Sequence, residues 1–313
     1  MSHSLALVFP GQGSQQLGML GDLAAEHSII QETFAEASAA LGFDLWNLVQ
    51  QGPESELNST ENTQPALLAA SVALWRLWQQ QGGETPATVA GHSLGEYSAL
   101  VCAGAIDFAD GIKLVQLRGQ LMQAAVPAGT GAMAAILGLA DDQVIAACEE
   151  AAQGEVVSAV NFNCPGQVVI AGQKEAVARG VEACKAAGAK RAVELPVSVP
   201  SHCALMQSAA EKLGEALADV DLRMPSISVI HNVNAATAAD VDELRDLLVR
   251  QLYSPVRWTE SVQAMQATGV ETLIECGPGK VLCGLNKKVD RALNVANIGD
   301  AAGLEKALEL LNA

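Results

Sequence analysis

An α/β fold with a second, smaller unit inserted into it is what this sequence predicts, and three observations carry the expectation. Strand-like and helix-like stretches alternate through both ends of the chain, which favours a mostly parallel sheet. Between Pro127 and Pro200 the order changes to β-α-β-β-α-β, that of a ferredoxin-like split unit. Finally, Gly91-His92-Ser93-Leu94-Gly95 lies between a short apolar run and a helix-like run, the setting of a nucleophile elbow. The expected architecture is an α/β-hydrolase-like larger domain, residues 1–126 and 200–313, with a ferredoxin-like domain inserted as residues 127–199.

Taken in order, residues 5–9 read as the first strand, an apolar run ended by Pro10-Gly11. Residues 22–41 follow as a helix, with Ile29, Ile30, Phe34, Ala37 and Leu41 near helical spacing. Thr63-Gln64-Pro65 supplies a capping residue and an early proline for a helix that stops at Gly82-Gly83. Residues 87–90 read as the end of a buried strand, 96–103 as the elbow helix and 110–122 as the next helix. In the insert, residues 132–139 are a strand and 141–152 a helix with an acidic first turn. Strands 156–162 and 167–171 are joined by the turn Asn163-Cys164-Pro165-Gly166; a helix over 174–187 and a strand over 191–199 complete the unit. The first pattern then resumes: helices at 203–218, 241–252, 261–268 and 281–289, and strands at 227–233, 270–276 and 294–298. A closing helix carries Leu304, Ala307, Leu308 and Leu311 on one face. No internal repeat or low-complexity linker interrupts the chain.

Bulk properties narrow the function. At 313 residues, half of them apolar, the chain is long enough for about two well-buried domains. No apolar stretch reaches the roughly 18 residues of a membrane span. The first residues lack the basic region of a secretory signal. Seven cysteines are scattered singly, with no C-x-x-C pair. That argues for reduced thiols in a cytoplasmic protein and against a disulfide framework or a zinc site. A net charge of −17 argues against nucleic-acid binding. The same charge would repel anionic substrates, so an anion site needs local cations; Arg118, Lys190 with Arg191, and Lys280, Lys287, Lys288 and Arg291 are the candidates.

The elbow places Ser93 at the head of a helix, beside backbone N–H groups able to face an oxyanion. An activated serine needs a base, and imidazole is the usual one. His3 is terminal, His27 lies in a polar stretch, and His92 neighbours the nucleophile but points elsewhere at so tight a turn. His202 ends an extended run just before a helix, where the chain re-enters the larger domain and faces a cleft; His231, at a strand end, is the second candidate. Phe9-Pro10-Gly11-Gln12-Gly13-Ser14-Gln15 follows the first strand. As a dinucleotide loop it misses the third glycine, but its N–H groups could supply a second oxyanion donor.

The segments Phe9-Pro10-Gly11-Gln12-Gly13-Ser14-Gln15, Gly91-His92-Ser93-Leu94-Gly95-Glu96-Tyr97, Pro200-Ser201-His202 and Gly277-Pro278-Gly279 occur in the order seen in malonyl-CoA:acyl carrier protein transacylases. The resemblance spans nearly the whole chain, inserted unit included, and is to the freestanding bacterial enzymes of type II fatty acid synthesis. It implies that Ser93 is the acylated nucleophile and His202 its general base. Gln251 would orient His202 through its backbone carbonyl, in place of a triad carboxylate. The N–H groups of Gln12 and Leu94 would form the oxyanion hole, and Arg118 would pair with the free carboxylate of the malonyl group, a task suited to a bidentate cation. Asn161 and Asn163 would line the cleft. The implied substrates are malonyl-CoA and acyl carrier protein, with no bound cofactor or metal, no nucleic-acid or membrane partner, and a monomeric state. A serine hydrolase acting on acidic acyl thioesters shares the elbow, base and oxyanion hole; a non-catalytic binding subunit would have no need of Ser93 and His202 together.

Overall fold

The computed structural model describes residues 2–197 and 199–312. Its strands are β1 (Ser2–Phe9), β2 (Pro86–Gly91), β3 (Gly131–Leu137), β4 (Val157–Cys164), β5 (Gln167–Gln173), β6 (Arg191–Glu194), β7 (Ser228–Ile230), β8 (Thr272–Glu275) and β9 (Asn294–Asn297). Before β2 come helices α1 (Gly21–Glu26), α2 (Ser28–Leu41), α3 (Leu45–Gln51), α4 (Glu54–Leu57) and α5 (Thr60–Gln80); α6 (Leu94–Cys102) and α7 (Phe108–Ala125) follow it. Helices α8 (Asp141–Ala152) and α9 (Lys174–Ala186) belong to the middle of the chain. The remainder carries α10 (Gln207–Ala218), α11 (Val241–Gln251), α12 (Trp258–Ala267), α13 (Val281–Val289) and α14 (Ala301–Asn312).

A five-stranded sheet has the order β7-β2-β1-β8-β9, with every pairing parallel. Leu5 to Phe9 are wholly buried, as a central parallel strand covered on both faces must be. Strand periodicity divides that burial. Leu5, Leu7 and Phe9 join the core of α2, α5, α6 and α7, whereas Ala6 and Val8 pack with Trp258, Val262, Leu282 and Leu285 of α12 and α13. The result is a helix–sheet–helix sandwich with the elbow at the carboxyl end of β2.

The second sheet has the order β4-β5-β3-β6 and only antiparallel pairings. Its two faces also alternate. Ala132, Ala134, Ile136, Val168 and Ile170 bury against α8 and α9, while Met133, Val160, Val169 and Ala171 turn the other way and pack with Cys203. A short backbone ladder joins the sheets: Val256 N–H donates to Val160 O at 2.8 Å and Phe162 N–H to Val256 O at 3.0 Å.

Several elements differ from the sequence reading. The helix expected over 22–41 is two, broken at His27, whose extended backbone (φ −132°, ψ 104°) caps both. The helix expected from Thr63 begins at Thr60, so Pro65 lies inside it rather than at its first turn. α3 and α4 were not foreseen; α3 is capped by Asp44, whose side chain accepts from Asn47 N–H at 2.8 Å. Asn163 belongs to β4, leaving Pro165-Gly166 alone as the turn, with Gly166 at φ 74°. The strand expected over 191–199 stops at Glu194, where its pairing with β3 ends; Ser198 lies outside the described residues. The helix expected from Cys203 opens as a 3-10 turn (Ala204–Met206) before α10. β7 keeps three of the seven residues expected over 227–233.

Candidate active site

Ser93 sits between β2 and α6 at φ 52°, ψ −109°, well outside the regions open to an L-residue. Such a conformation costs about 1–3 kcal/mol and persists only where its surroundings over-determine it. They do so here. The Ser93 N–H donates to Asn232 Oδ1 at 2.8 Å, and Asn232 Nδ2 in turn holds Gly91 O at 2.6 Å. The Ser93 carbonyl accepts from Gln251 Nε2 at 3.0 Å. The flanking glycines are obligatory: a Cβ on Gly91 would lie 1.8 Å from the Gly95 carbonyl carbon, and one on Gly95 2.0 Å from Phe9 O.

His202 Nε2 is 2.8 Å from Ser93 Oγ and its Nδ1 is 2.7 Å from the Gln251 carbonyl oxygen. A carbonyl can only accept, so Nδ1 carries the proton and Nε2 presents its lone pair to the serine hydroxyl. His202 is itself held at φ 64°, with its N–H on Leu252 O at 2.9 Å. Burial, reinforced by the Arg118 charge, pulls its pKa down to about 3, so the ring is a neutral base at physiological pH.

Arg118 is wholly buried. From α7 its Nη1 donates to Gln64 Oε1 at 2.8 Å, and Nη2 donates to Gln251 Oε1 at 3.0 Å and Ser93 Oγ at 3.2 Å. Burial disfavours its charge, and the nearby Tyr97 and Glu96 work against that loss. A cation on Ser93 Oγ favours alkoxide character at that oxygen.

The Ser93 side of the elbow opens into a cleft of about 230 Å³ between the two sheets, lined by Gln12, His92, Met133, Asn161, Val199 and His202 among others. The N–H groups of Gln12 and Leu94 carry no hydrogen bond among the described residues. Leu94 is the first residue of α6, where backbone donors lack intrahelical partners. The Gln12 loop is packed from behind by Gly277, where a Cβ would stand 2.3 Å from the Pro10 ring. Asn161 is buried at the cleft wall with no partner for Oδ1. Asn163 lies farther back, its Oδ1 2.8 Å from His92 Nε2. His92 thus reaches across the seam between the sheets, and burial holds it below the usual imidazole range.

Sequence reasoning found no acidic member for this group, yet a wholly buried carboxylate stands behind it. Glu96 accepts from Gln251 Nε2 at 2.8 Å and from Asn232 N–H at 3.0 Å, and lies 2.7 Å from His231 Nδ1. His231, the second candidate base, is therefore engaged there rather than at Ser93. Gln64, Thr60 and Asn232 were also missed. Thr60 Oγ1 links Gln64 Nε2, at 3.1 Å, to Gln12 Oε1, at 2.9 Å. The one available signal was a glutamate in the apolar elbow helix, a position where an uncompensated charge is costly.

Among the described residues no cluster of His, Cys, Asp or Glu could hold a metal ion, and no helix is long and apolar enough to cross a membrane. The acyl transferase domain model matches residues 6–303. The malonyl CoA-acyl carrier protein transacylase of Escherichia coli K12 is 64% identical over 305 residues, which are 97% of this chain and 99% of the relative. The crystal structure of an acyl carrier protein S-malonyltransferase from Vibrio cholerae superposes with a TM-score of 0.95 at 63% identity, covering 97% of this chain and 99% of that one. A malonyl-transacylase solved in complex with its type II PKS acyl-carrier protein gives a TM-score of 0.97 at 60% identity, over 98% of this chain and 99% of that one. An elbow serine hydrogen-bonded to a histidine, with a buried arginine beside it, thus stands in a chain that belongs to the acyl transferase family, among the malonyl CoA-acyl carrier protein transacylases.

Proposed function

We propose that this protein transfers the malonyl group from malonyl-CoA to the phosphopantetheine thiol of acyl carrier protein through a malonyl-Ser93 ester. The observation that carries the reading is the buried guanidinium of Arg118, 3.2 Å from Ser93 Oγ. A fixed cation so close to the nucleophile suits a short acyl group that ends in its own carboxylate. It does not suit a fatty tail.

In the first half-reaction His202 Nε2 takes the Ser93 proton as Oγ attacks the thioester carbonyl. The oxyanion forms against the N–H groups of Gln12 and Leu94. The tetrahedral intermediate collapses, and coenzyme A leaves as a thiol with the proton from His202. In the second half the pantetheine thiol gives its proton to His202 and attacks the ester, and Ser93 Oγ recovers the proton on release. Gln251 keeps the imidazole in its working tautomer through its carbonyl. Asn161 lines the cleft along which the acyl or pantetheine chain lies. The substrate is a coenzyme A thioester and no further cofactor takes part.

The same reading places residues 1–126 and 200–313 in a catalytic domain, residues 127–199 in an inserted one, and the protein in the cytoplasm as a monomer. The deciding experiment is the intact mass after brief exposure to malonyl-CoA without acceptor. The expected result is one malonyl group per chain, absent in Ser93→Ala and discharged by holo acyl carrier protein. Release of coenzyme A and malonate with no adduct would instead mark a hydrolase. Absence of both adduct and release would overturn the enzymatic reading.

A further inference from the structure

Two opposite charges are buried in this site without touching. Glu96 is wholly buried in the first turn of α6, and none of its hydrogen-bond partners is a lysine or arginine: they are His231 Nδ1, the Asn232 N–H and Gln251 Nε2. Arg118 is equally buried, and its partners are the oxygens of Gln64, Gln251 and Ser93, none of them a carboxylate. A single amide separates the two. The Gln251 side chain turns its Oε1 to Arg118 and its Nε2 to Glu96, so its dipole is aligned between cation and anion. Ions taken from water at this depth need compensation; His231 supplies it to Glu96 only when protonated, and across the amide the fixed charge acting on Arg118 is that of Glu96.

We propose that Glu96 is the resident counter-ion of Arg118, coupled to it through the Gln251 amide, and that it sets how strongly the site discriminates between acyl groups with and without a carboxylate. The inference rests on the transacylase reading and assigns Glu96 a positioning role, since it touches neither substrate nor reacting atoms. An uncompensated guanidinium would hold an incoming carboxylate harder in the ground state. It would also oppose the imidazolium that forms on His202 when Ser93 gives up its proton, because Arg118 already disfavours that charge. A malonyl group brings its own negative charge and relieves the second effect. An acetyl group brings none and suffers it in full.

Replacement by glutamine separates charge from geometry. In Glu96→Gln the side-chain oxygen still accepts from Asn232 N–H and Gln251 Nε2, and the new NH2 faces His231 Nδ1. That nitrogen can accept once the ring proton moves to Nε2, which has no partner in the present structure. The hydrogen bonds to Glu96 survive while the charge goes; the tautomer shift also leaves a buried N–H on His231 Nε2, a cost common to both substrates.

The test is the rate of acyl-enzyme formation from malonyl-CoA and from acetyl-CoA, read by intact mass, in wild type and Glu96→Gln. The dissociation constant for malonyl-CoA is measured in parallel on the Ser93→Ala background. The expected result is an acetylation rate at least about tenfold lower, a smaller loss for malonylation, and malonyl-CoA bound about threefold or more tighter. Equal losses for the two substrates, or weaker malonyl-CoA binding, would overturn the proposal and leave Glu96 a structural mount. Glu96→Asp keeps the charge while shortening its reach, so both rates should fall by one factor with their ratio unchanged; a ratio shifted in favour of malonyl-CoA would also overturn it, and this variant decides the matter if the glutamine chain does not fold. Failure of the transacylase reading is recognised separately, as a wild-type protein that malonyl-CoA does not label.

Discussion

At the scale of single residues the site is a set of polar atoms with almost no freedom. Arg118 is held on three oxygens, so truncating it removes charge and leaves Gln64 and Gln251 unpaired. Hydrogen bonds to a charged group are worth about 1.5–3 kcal/mol, and Arg118→Ala should therefore lose roughly 10–100-fold in kcat/KM for malonyl-CoA. Acetyl-CoA should lose less, and equal losses would remove the carboxylate-binding role. His202 gives a second prediction. Its pKa lies at about 3 in the folded chain against 6.5 for a free imidazole, so acid protonates it preferentially in the unfolded chain. Its contribution to stability is complete above about 6.5 and is lost as pH falls toward 3, at a limiting slope of about 1.4 kcal/mol per unit. Urea titrations from pH 7 to 4 should show wild type losing stability more steeply than His202→Gln; parallel curves would contradict the assignment. The meeting of Ser93 and His202 was legible because motif and position in the chain single both out. Glu96 was not, because its partners Gln251 and His231 lie more than a hundred residues away, and no local pattern announces a contact of that length.

At the scale of elements, catalysis depends on how loops back one another. The Gly277-Pro278-Gly279 turn after β8 presses on Pro10, two residues from Gln12, the proposed oxyanion donor. Gly277 has no positive φ, so alanine fits its backbone but collides with the Pro10 ring. Gly277→Ala should cost about 1–3 kcal/mol of stability through overpacking. By moving the Gln12 N–H it should also lower kcat roughly 10–100-fold, with little change in KM for malonyl-CoA. An unchanged kcat would mean that the turn only fills space. Element boundaries were read best where one periodic face is buried, as in α8 and α13, whose predicted and observed limits coincide. They were read worst where a short element is defined by its neighbours. α3 buries Leu45, Leu48 and Val49 in only seven residues, too few for a period to emerge. β6 lasts only as long as β3 offers it partners.

At the scale of the molecule, the cleft exists because a sheet with two apolar faces is lowered onto the elbow. β3 and β5 give one face to α8 and α9 and the other to the cleft, so the inserted unit is both a domain core and a roof over Ser93. The insertion itself was visible in the β-α-β-β-α-β order. Its docking was not, since the seam rests on pairs such as Val160 with Val256 and Asn163 with His92, which only the assembled chain brings together. The Asn163–His92 bond ties the roof directly to the residue before Ser93. Asn163→Ala would leave the partly buried His92 ring N–H without its protein acceptor, a loss of about 1 kcal/mol. If the bond transmits the position of the roof to the elbow, the acylation rate should fall with it. A double-mutant cycle with His92→Ala, read both in unfolding free energy and in the rate of malonyl-Ser93 formation, should give a coupling of about 0.5–3 kcal/mol in each. Coupling in stability alone would make the seam a structural joint. Coupling in both would mean that the inserted unit helps hold the strained serine in its working conformation.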